Sequence, residues 1–398
     1  MNAGYRWWGL MLSLGCQEPT SADTDTDTDT DTDIDTDIED SGTPEDTGET
    51  SGPEAQTSAI IGVEAGSMLG WQVATAGVSG LLVSAPGSSQ TGAIYRFPVS
   101  ALDGEVVLED SNLTIEGAVV SGLLGYGLAS LDVNGDSVPE IAAGVPGEWD
   151  STGAVYVFDG TDRGRTSTRS AMLRLEGPDP GASFGGRLAA GQGALLLVSA
   201  SDDDSSGVKG GAAYAYSLTE LAPTASIYGD EEGQQLGIGS AVGDLNGDGV
   251  EELVVGCAGE GSGSSDGRGD VGVFFGPVSG THLLSEADVR MRGADPQDHL
   301  GNRVSAGPDL DGDGYGELAV GAYWVSEEAE RGGAVYVFSG PLGAGTARSD
   351  AVAVLHGEHE YGYGGISVVL LADATGDGLG ELLIGEYGAP VDEALTGA

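Results

Sequence analysis

Residues 309–322 read DLDGDGYGELAVGA, an acidic, glycine-rich turn that runs directly into a short apolar segment. Closely similar stretches occur at residues 132–145 (DVNGDSVPEIAAGV), 244–257 (DLNGDGVEELVVGC) and 373–386 (DATGDGLGELLIGE). Self-similarity along a chain is the signature of a repeat architecture. The fold therefore follows from the repeat unit rather than from the chain as a whole.

Each unit repeats the same order of short elements. An apolar residue followed by glycine recurs at intervals of 52 to 64 residues, and the sixth such pair is Tyr361-Gly362 or Tyr363-Gly364. The first five pairs are Leu69-Gly70, Leu124-Gly125, Phe184-Gly185, Leu236-Gly237 and Leu300-Gly301. Each of these five pairs is followed by a turn, an apolar run and a strand such as Ala154-Val155-Tyr156-Val157-Phe158. Four short strands per unit, bounded by glycines, predict an all-β fold, a β-propeller of four-stranded blades.

These motifs resemble the FG-GAP repeat, the blade unit of the N-terminal propeller of integrin α subunits. Phe184-Gly185 stands for the FG of the motif, and Gly321-Ala322-Tyr323 and Gly144-Val145-Pro146 stand for its GAP. The resemblance covers residues 57–398, in which six blades are visible and the last is incomplete. The resemblance implies seven blades in the full-length protein, and we expect the natural chain to continue beyond Ala398.

The four acidic turns are predicted calcium sites. Each offers oxygen side chains at its first, third, fifth and ninth positions and a backbone carbonyl at its seventh, and Ca²⁺ takes six to eight such hard ligands. Without a cation, carboxylates this close together repel one another. The alternative is a set of Asx-type turns that hold no metal. The predicted ligands are Asp132, Asn134, Asp136, Val138 and Glu140; Asp244, Asn246, Asp248, Val250 and Glu252; Asp309, Asp311, Asp313, Tyr315 and Glu317; and Asp373, Thr375, Asp377, Leu379 and Glu381.

The turns are not equivalent in every blade. Residues 76–80 and 191–194 form short turns without carboxylates, so we expect no metal in the first and third blades. Thr375 replaces an acid at the third position of the last turn, which predicts a weaker site there.

The N-terminal region resembles that of a bacterial lipoprotein. Residues 1–16 have a positive start, a short apolar stretch and the lipobox-like end Ser13-Leu14-Gly15-Cys16, which predicts a signal peptide and lipidation of Cys16. An ordinary signal peptide or a misassigned start codon is the alternative. Residues 17–56 alternate Asp with Thr over much of their length and predict a disordered acidic spacer. We therefore expect a propeller at residues 57–398 that is secreted or held by lipid at the outer membrane or cell surface.

Composition narrows the possible partners. The chain has 64 acidic and 14 basic residues and a net charge of −50, which disfavours nucleic acid and leaves a lipid anchor as the expected route to a membrane. Its two cysteines, Cys16 and Cys257, imply no disulfide framework. Two G-x-S-x-G matches lack a triad partner, so we predict that the chain is not an enzyme.

The loop that follows the second strand of a blade is a candidate ligand surface. It carries Trp149 in the second blade and Tyr323 with Trp324 in the fifth. The integrin resemblance implies that this loop lies on the face opposite the calcium turns, where partners bind. We predict adhesion to, or recognition of, a protein or glycan. The alternatives are an accessory module of an extracellular hydrolase, a purely structural envelope lipoprotein, and loop residues that fold onto their own blades.

Overall fold

The computed structural model describes residues 59–386, apart from residue 63 and residues 78–79, 103–104, 207–209, 220–221, 260–265 and 374–378. The predicted signal peptide, the lipidation site Cys16 and the acidic spacer lie outside the described residues. So do Thr375, Asp377 and the end of the chain from residue 387. The predictions made for those parts stay predictions.

Strands account for most of the described chain, and they form successive antiparallel sheets in chain order, which we number as blades one to six. A first strand, β1 (Ala59–Ile61), precedes them. Blade one contains β2 (Val73–Thr75), β3 (Gly80–Ala85), β4 (Ala93–Pro98) and β6 (Leu113–Glu116), with β5 (Glu105–Val107) in the connection before β6. Blade two contains β7 (Leu128–Leu131), β8 (Glu140–Val145), β9 (Ala154–Phe158) and β11 (Leu173–Glu176), with β10 (Gly164–Ser167) before β11. Blade three contains β12 (Leu188–Ala190), β13 (Leu195–Ala200), β14 (Ala212–Ser217) and β15 (Ala222–Tyr228).

Blades four and five follow the same order, and two strands of blade six are described. Blade four contains β16 (Gly239–Gly243), β17 (Glu252–Cys257), β18 (Asp270–Phe274) and β20 (Val289–Arg292), with β19 (Gly280–Leu283) before β20. Blade five contains β21 (Leu300–Ala306), β22 (Leu318–Ala322), β23 (Ala334–Phe338) and β24 (Ala353–His356). Blade six contributes β25 (Ser367–Leu371) and β26 (Glu381–Gly385).

Helical structure in the described residues is confined to single turns. One short helical turn, α1, spans Glu148–Ser151. The 3₁₀ turns are Ser88–Gln90, Val99–Ala101, Leu108–Asp110, Thr168–Ser170, Leu284–Glu286 and Arg348–Asp350. None of these described turns has the length or the apolar character that a membrane-spanning helix needs.

The hydrophobic core lies between successive blades. Strands β8, β9, β17, β18, β22 and β23 are buried along their whole length, because a neighbouring sheet covers each of their faces. One cluster joins Val155 and Val157 of blade two to Leu196 and Val198 of blade three, and equivalent clusters join the other neighbouring pairs. The first strands of successive blades also lie side by side. The fold is therefore the β-propeller of four-stranded blades that the repeats predict.

Two glycines fix how closely neighbouring blades approach. The glycine of each of the first five apolar–glycine pairs is left-handed, with φ of 88° at Gly125 and 90° at Gly185. A Cβ on Gly144, in the apolar run of blade two, would stand 1.8 Å from the Gly185 carbonyl oxygen of blade three. Both motif glycines are thus required by close backbone contact between blades.

The predicted position of the sixth apolar–glycine pair is wrong. The Gly365 N–H donates to the Gly385 carbonyl at 3.1 Å, as the Gly125 N–H does to Gly144 at 3.0 Å, and Gly365 is left-handed with a φ of 88°. Gly364-Gly365 therefore takes the place predicted for Tyr361-Gly362 or Tyr363-Gly364. The error arose because the apolar first residue is absent from this blade, while two tyrosine–glycine pairs stand just before it.

Candidate functional site

Each acidic turn joins the first and second strands of its blade. The turns of blades two, four and five lie between β7 and β8, β16 and β17, and β21 and β22. Strand two of a blade runs antiparallel to strands one and three, so the turn before it and the loop after it lie at opposite ends of the blade. We call these the turn end and the loop end.

The fifth-blade turn is shaped by its own carboxylates. Asp309 accepts hydrogen bonds from the Gly312 N–H at 2.7 Å and from the Gly314 N–H at 2.9 Å. Asp313 accepts one from the Tyr315 N–H at 2.9 Å. These are Asx-type bonds, and they curve the backbone around the side-chain oxygens.

The turns of blades two and four repeat this network. Asp132 accepts from the Gly135 N–H at 2.7 Å and Asp244 from the Gly247 N–H at 2.7 Å. The glutamate at the ninth position is buried in all three turns and accepts from the backbone N–H of the second position. The recurrence shows that the sequence pattern encodes one local conformation.

The ninth-position glutamate is satisfied in two turns and not in the third. Glu140 Oε1 accepts from the Asn134 amide at 2.9 Å, and Glu252 Oε1 accepts from the Asn246 amide at 3.0 Å. The fifth blade has Asp311 instead of asparagine, and this carboxylate has no proton to donate. Glu317 Oε1 is consequently buried without a hydrogen-bond partner among the described residues.

The electrostatics of the fifth-blade turn reflect that difference. Burial raises the pKa of Glu317 to about 7, the Leu310 N–H partly opposes this, and the carboxylates of Asp311, Asp309 and Asp313 raise it further. One oxygen from each of these four acids lies within 4.8 Å of the others. Of the residues that the structure describes, they alone form a group of three or more acidic, histidine or cysteine side chains so close together. An orphaned buried oxygen within a set of hard oxygens fits a divalent cation.

The other predicted ligands are placed less completely. Val138, Val250 and Tyr315 occupy the seventh positions of the described turns, where the backbone carbonyl was the predicted ligand. Asp373, Leu379 and Glu381 of the sixth-blade turn are described, whereas Thr375 and Asp377 are not. The prediction of a weaker site in that blade is therefore untested.

Trp149 is displayed at the loop end of blade two. Trp149 is 57 % exposed, and the Arg174 guanidinium carbon lies 4.3 Å from the centre of its indole ring. Trp149, Asp150 and Ser151 all have left-handed backbones, with φ of 49°, 58° and 57°. Such conformations are costly for residues with a Cβ and occur mainly where the surrounding structure imposes them.

Tyr323 and Trp324 form a separate aromatic cluster at the loop end of blade five. Their ring centres are 5.9 Å apart, and His299 lies 5.2 Å from Tyr323 and 4.8 Å from Trp324. The Arg331 guanidinium covers Trp324 at 4.5 Å. Both aromatic residues are half-buried. The structure thus brings two of the three predicted loop-face residues together and places Trp149 among different neighbours.

Comparison with known proteins agrees with this architecture. The FG-GAP repeat matches residues 124–158 and 300–338, each of which runs from an apolar–glycine pair through an acidic turn to the third strand. The chain carries FG-GAP repeats. Integrin alpha-5 of Xenopus laevis is 29 % identical to this FG-GAP propeller over 47 % of the chain, which is 18 % of the integrin, and integrin alpha-PS2 of Drosophila melanogaster is 28 % identical over 50 % of the chain and 15 % of its own length.

A second kind of relative covers less of the FG-GAP propeller. Phosphatidylinositol-glycan-specific phospholipase D of Rattus norvegicus is 35 % identical over 25 % of the chain and 14 % of the phospholipase. The chain spans less than a fifth of the length of these three relatives.

Sequence reasoning missed one group of residues in the FG-GAP propeller. These residues stand at the start of the first strand in blades one, two, three and five, one or two residues after the glycine of the apolar–glycine pair: Trp71, Tyr126, Arg187 and Arg303. Their shared position relative to the pair is the signal that could have found them. Composition and spacing, however, do not predict that side chains so far apart in the sequence lie close together in the fold.

Proposed function

We propose that this protein is a calcium-binding recognition module, in which cations held by the acidic turns stabilise a propeller that presents its loop end to a ligand. The observation that carries the first part is the buried, unpartnered Glu317 Oε1 among Asp309, Asp311 and Asp313. Calcium would supply the positive charge there and the missing partner of this oxygen. In this proposal the metal has a structural role and takes part in no reaction.

Calorimetric titration with Ca²⁺ tests the metal sites directly. We expect Asp309→Asn to abolish binding at the fifth-blade turn while the sites in blades two and four persist. Glu109→Gln is the matched control, because Glu109 is an exposed carboxylate outside the turns. Loss of the same binding event in the control, or no calcium binding by the wild type, contradicts the proposal.

The loop face, defined as Trp149, Tyr323 and Trp324, supports the second part of the proposal. An exposed indole held on a left-handed backbone is typical of a contact residue, and aromatic residues are enriched where proteins bind partners. Similarity to integrin α subunits agrees with a binding module. Protein and glycan arrays, each probed with and without calcium, test this part, and no calcium-dependent ligand on either array contradicts it.

An accessory module of a hydrolase is the second candidate, favoured by the similarity to a phospholipase. The two functions differ in a direct assay. Hydrolysis of a phosphatidylinositol-glycan by the purified chain would reject a pure recognition role. Binding of the intact lipid without turnover would favour the accessory role.

Attachment to a bacterial envelope is also proposed, on the sequence of residues 13–16 alone. In this arrangement Cys16 carries lipid, the acidic spacer extends by self-repulsion, and the propeller stands away from the membrane.

A further inference from the structure

Four side chains from separate blades converge where the first strands begin, at the loop end. The rings of Trp71 and Tyr126 have centres 4.8 Å apart. The guanidinium carbon of Arg187 lies 5.5 Å from the Tyr126 ring centre and 5.9 Å from that of Trp71. Arg303, from blade five, is close enough to Arg187 for the two charges to interact. We call these four residues the axial cluster.

Among the residues that the structure describes, the two arginines have no anionic partner. Arg187 donates from Nη1 to the Gly186 carbonyl at 3.0 Å, and Arg303 donates from Nη1 to the Asn302 carbonyl at 3.0 Å, so each bonds the backbone of the residue before it. Burial lowers the pKa of Arg187, and burial followed by the Arg187 charge lowers that of Arg303 well below its usual range. Within the described part of the chain, neither forms an ion pair with a carboxylate.

This lack of a partner is unusual in so acidic a protein. Acidic residues number 64, and other arginines find them readily: Arg174 contacts Glu148 at 3.1 Å and Arg290 contacts Asp270 at 2.6 Å. A guanidinium removed from water without an anion carries a large desolvation cost. Ring faces near 6 Å, the outer limit of a cation–π contact, offset little of it.

Two buried donors in the axial cluster also lack acceptors. Arg187 Nε and Trp71 Nε1 are both shielded from solvent, and neither forms a hydrogen bond to any residue that the structure describes. All four side chains are nevertheless half-buried rather than fully buried, so part of each remains accessible from outside. The cluster therefore combines unsatisfied N–H donors and two positive charges on side chains that are partly exposed.

We propose that the axial cluster is a binding site for an oxyanion, the carboxylate or sulfate group of a ligand that enters from the loop end. Arginine presents its N–H groups as a planar fork that matches two oxygens of such a group, and the indole N–H of Trp71 adds a third donor. The aromatic rings of Trp71 and Tyr126 form an apolar wall for the body of the ligand. This site is separate from the acidic turns and does not depend on calcium binding there.

The first test is titration of the intact wild-type protein with sodium sulfate and with sodium glucuronate. Sodium chloride at equal ionic strength is the control, and binding is measured by calorimetry and by tryptophan fluorescence. We expect saturable binding of at least one probe that chloride does not reproduce. Tighter binding of glucuronate identifies a carboxylate ligand, and tighter binding of sulfate identifies a sulfated one. Absence of saturable binding by both probes overturns the proposal.

Variants then locate the site. Arg187→Met and Arg303→Met should each weaken binding by about tenfold or more, because each removes hydrogen bonds to a charged group. Arg165→Met is the matched control, since the Arg165 side chain is 74 % exposed and pairs with Glu116 at the surface. Equal affinity of all three variants overturns the assignment.

A second measurement separates this site from a structural role. Removing an unpaired, half-buried charge should leave the melting temperature of ligand-free Arg187→Met equal to or above that of the wild type, whereas loss of a structural contact would lower it. Repeating the titration in chelator keeps the outcome independent of the proposed function. Anion binding that fails while calcium stabilisation persists rejects the oxyanion site alone.

Discussion

Replacing Asp311 by asparagine makes the fifth-blade turn match those of blades two and four. The amides of Asn134 and Asn246 donate to the turn glutamate at 2.9 and 3.0 Å, so an amide at position 311 can reach the unpartnered Glu317 Oε1. A hydrogen bond to a charged group stabilises by about 1.5–3 kcal/mol. In chelator, we therefore expect the free energy of unfolding of Asp311→Asn to exceed that of the wild type by about that amount.

The same exchange should change the pH dependence of stability. The pKa of Glu317 is about 7 in the folded protein and 4.5 as the ordinary value, so the folded state holds the proton more tightly than the unfolded chain. The contribution of Glu317 to calcium-free stability is then highest below the unfolded pKa and falls as pH rises through the folded one. At about 1.4 kcal/mol per pH unit, this contribution falls by up to about 3 kcal/mol between pH 4.5 and pH 7.

Urea unfolding at pH 5 and pH 8, in chelator and in calcium, measures both effects. The variant should lose less stability with rising pH and should gain less from calcium, because one carboxylate ligand has gone. Glu109→Gln serves as the control for removal of a charge elsewhere. Equal stability of wild type and Asp311→Asn in chelator, with equal pH dependence, would refute the argument that Glu317 is left without a partner.

Three further experiments test other parts of the molecule. Trp149→Ala and Trp324→Ala should each weaken binding to the array ligand while the calcium-dependent melting transition persists; unchanged binding by both would place the contact elsewhere. Cys16→Ser should move the protein from the membrane fraction to the soluble fraction, and a wild type that is already soluble would contradict lipidation. Gly144→Ala should destabilise by about 1–3 kcal/mol or more, since its Cβ would stand 1.8 Å from the Gly185 carbonyl oxygen, whereas Gly343→Ala, with open space around it, should be nearly neutral in the same urea experiment.

The fold could be predicted because its determinants are local and repeated. The acidic turns, the motif glycines and the apolar second strands recur in each unit or in several, so one misassigned position costs little. The sixth pair shows the limit: with Gly364 where an apolar residue usually stands, the spacing alone favoured the nearby tyrosines. Backbone hydrogen bonds, which sequence does not display, identify Gly365.

The sites were predicted less completely, for a physical reason. The turn residues lie within nine positions of one another, so their proximity is readable from the chain. The buried glutamate of each turn is satisfied only if the third-position residue can donate a hydrogen bond, as Asn246 does and the Asp311 carboxylate does not. The pattern of oxygen ligands does not distinguish these two cases. The meeting of Arg187 with Trp71 depends on packing across blades and could not be derived from spacing.

The connections between strands three and four carry a consequence for how such proteins grow and change. Strand β10 of blade two lies parallel to β6 of blade one, β19 of blade four lies parallel to β15 of blade three, and β5 pairs in the same way with β1. In these places the outer edge of one sheet is covered by residues encoded in the next unit of sequence. A gene duplication that adds one whole unit would therefore supply both a new sheet and the protection for the exposed edge before it.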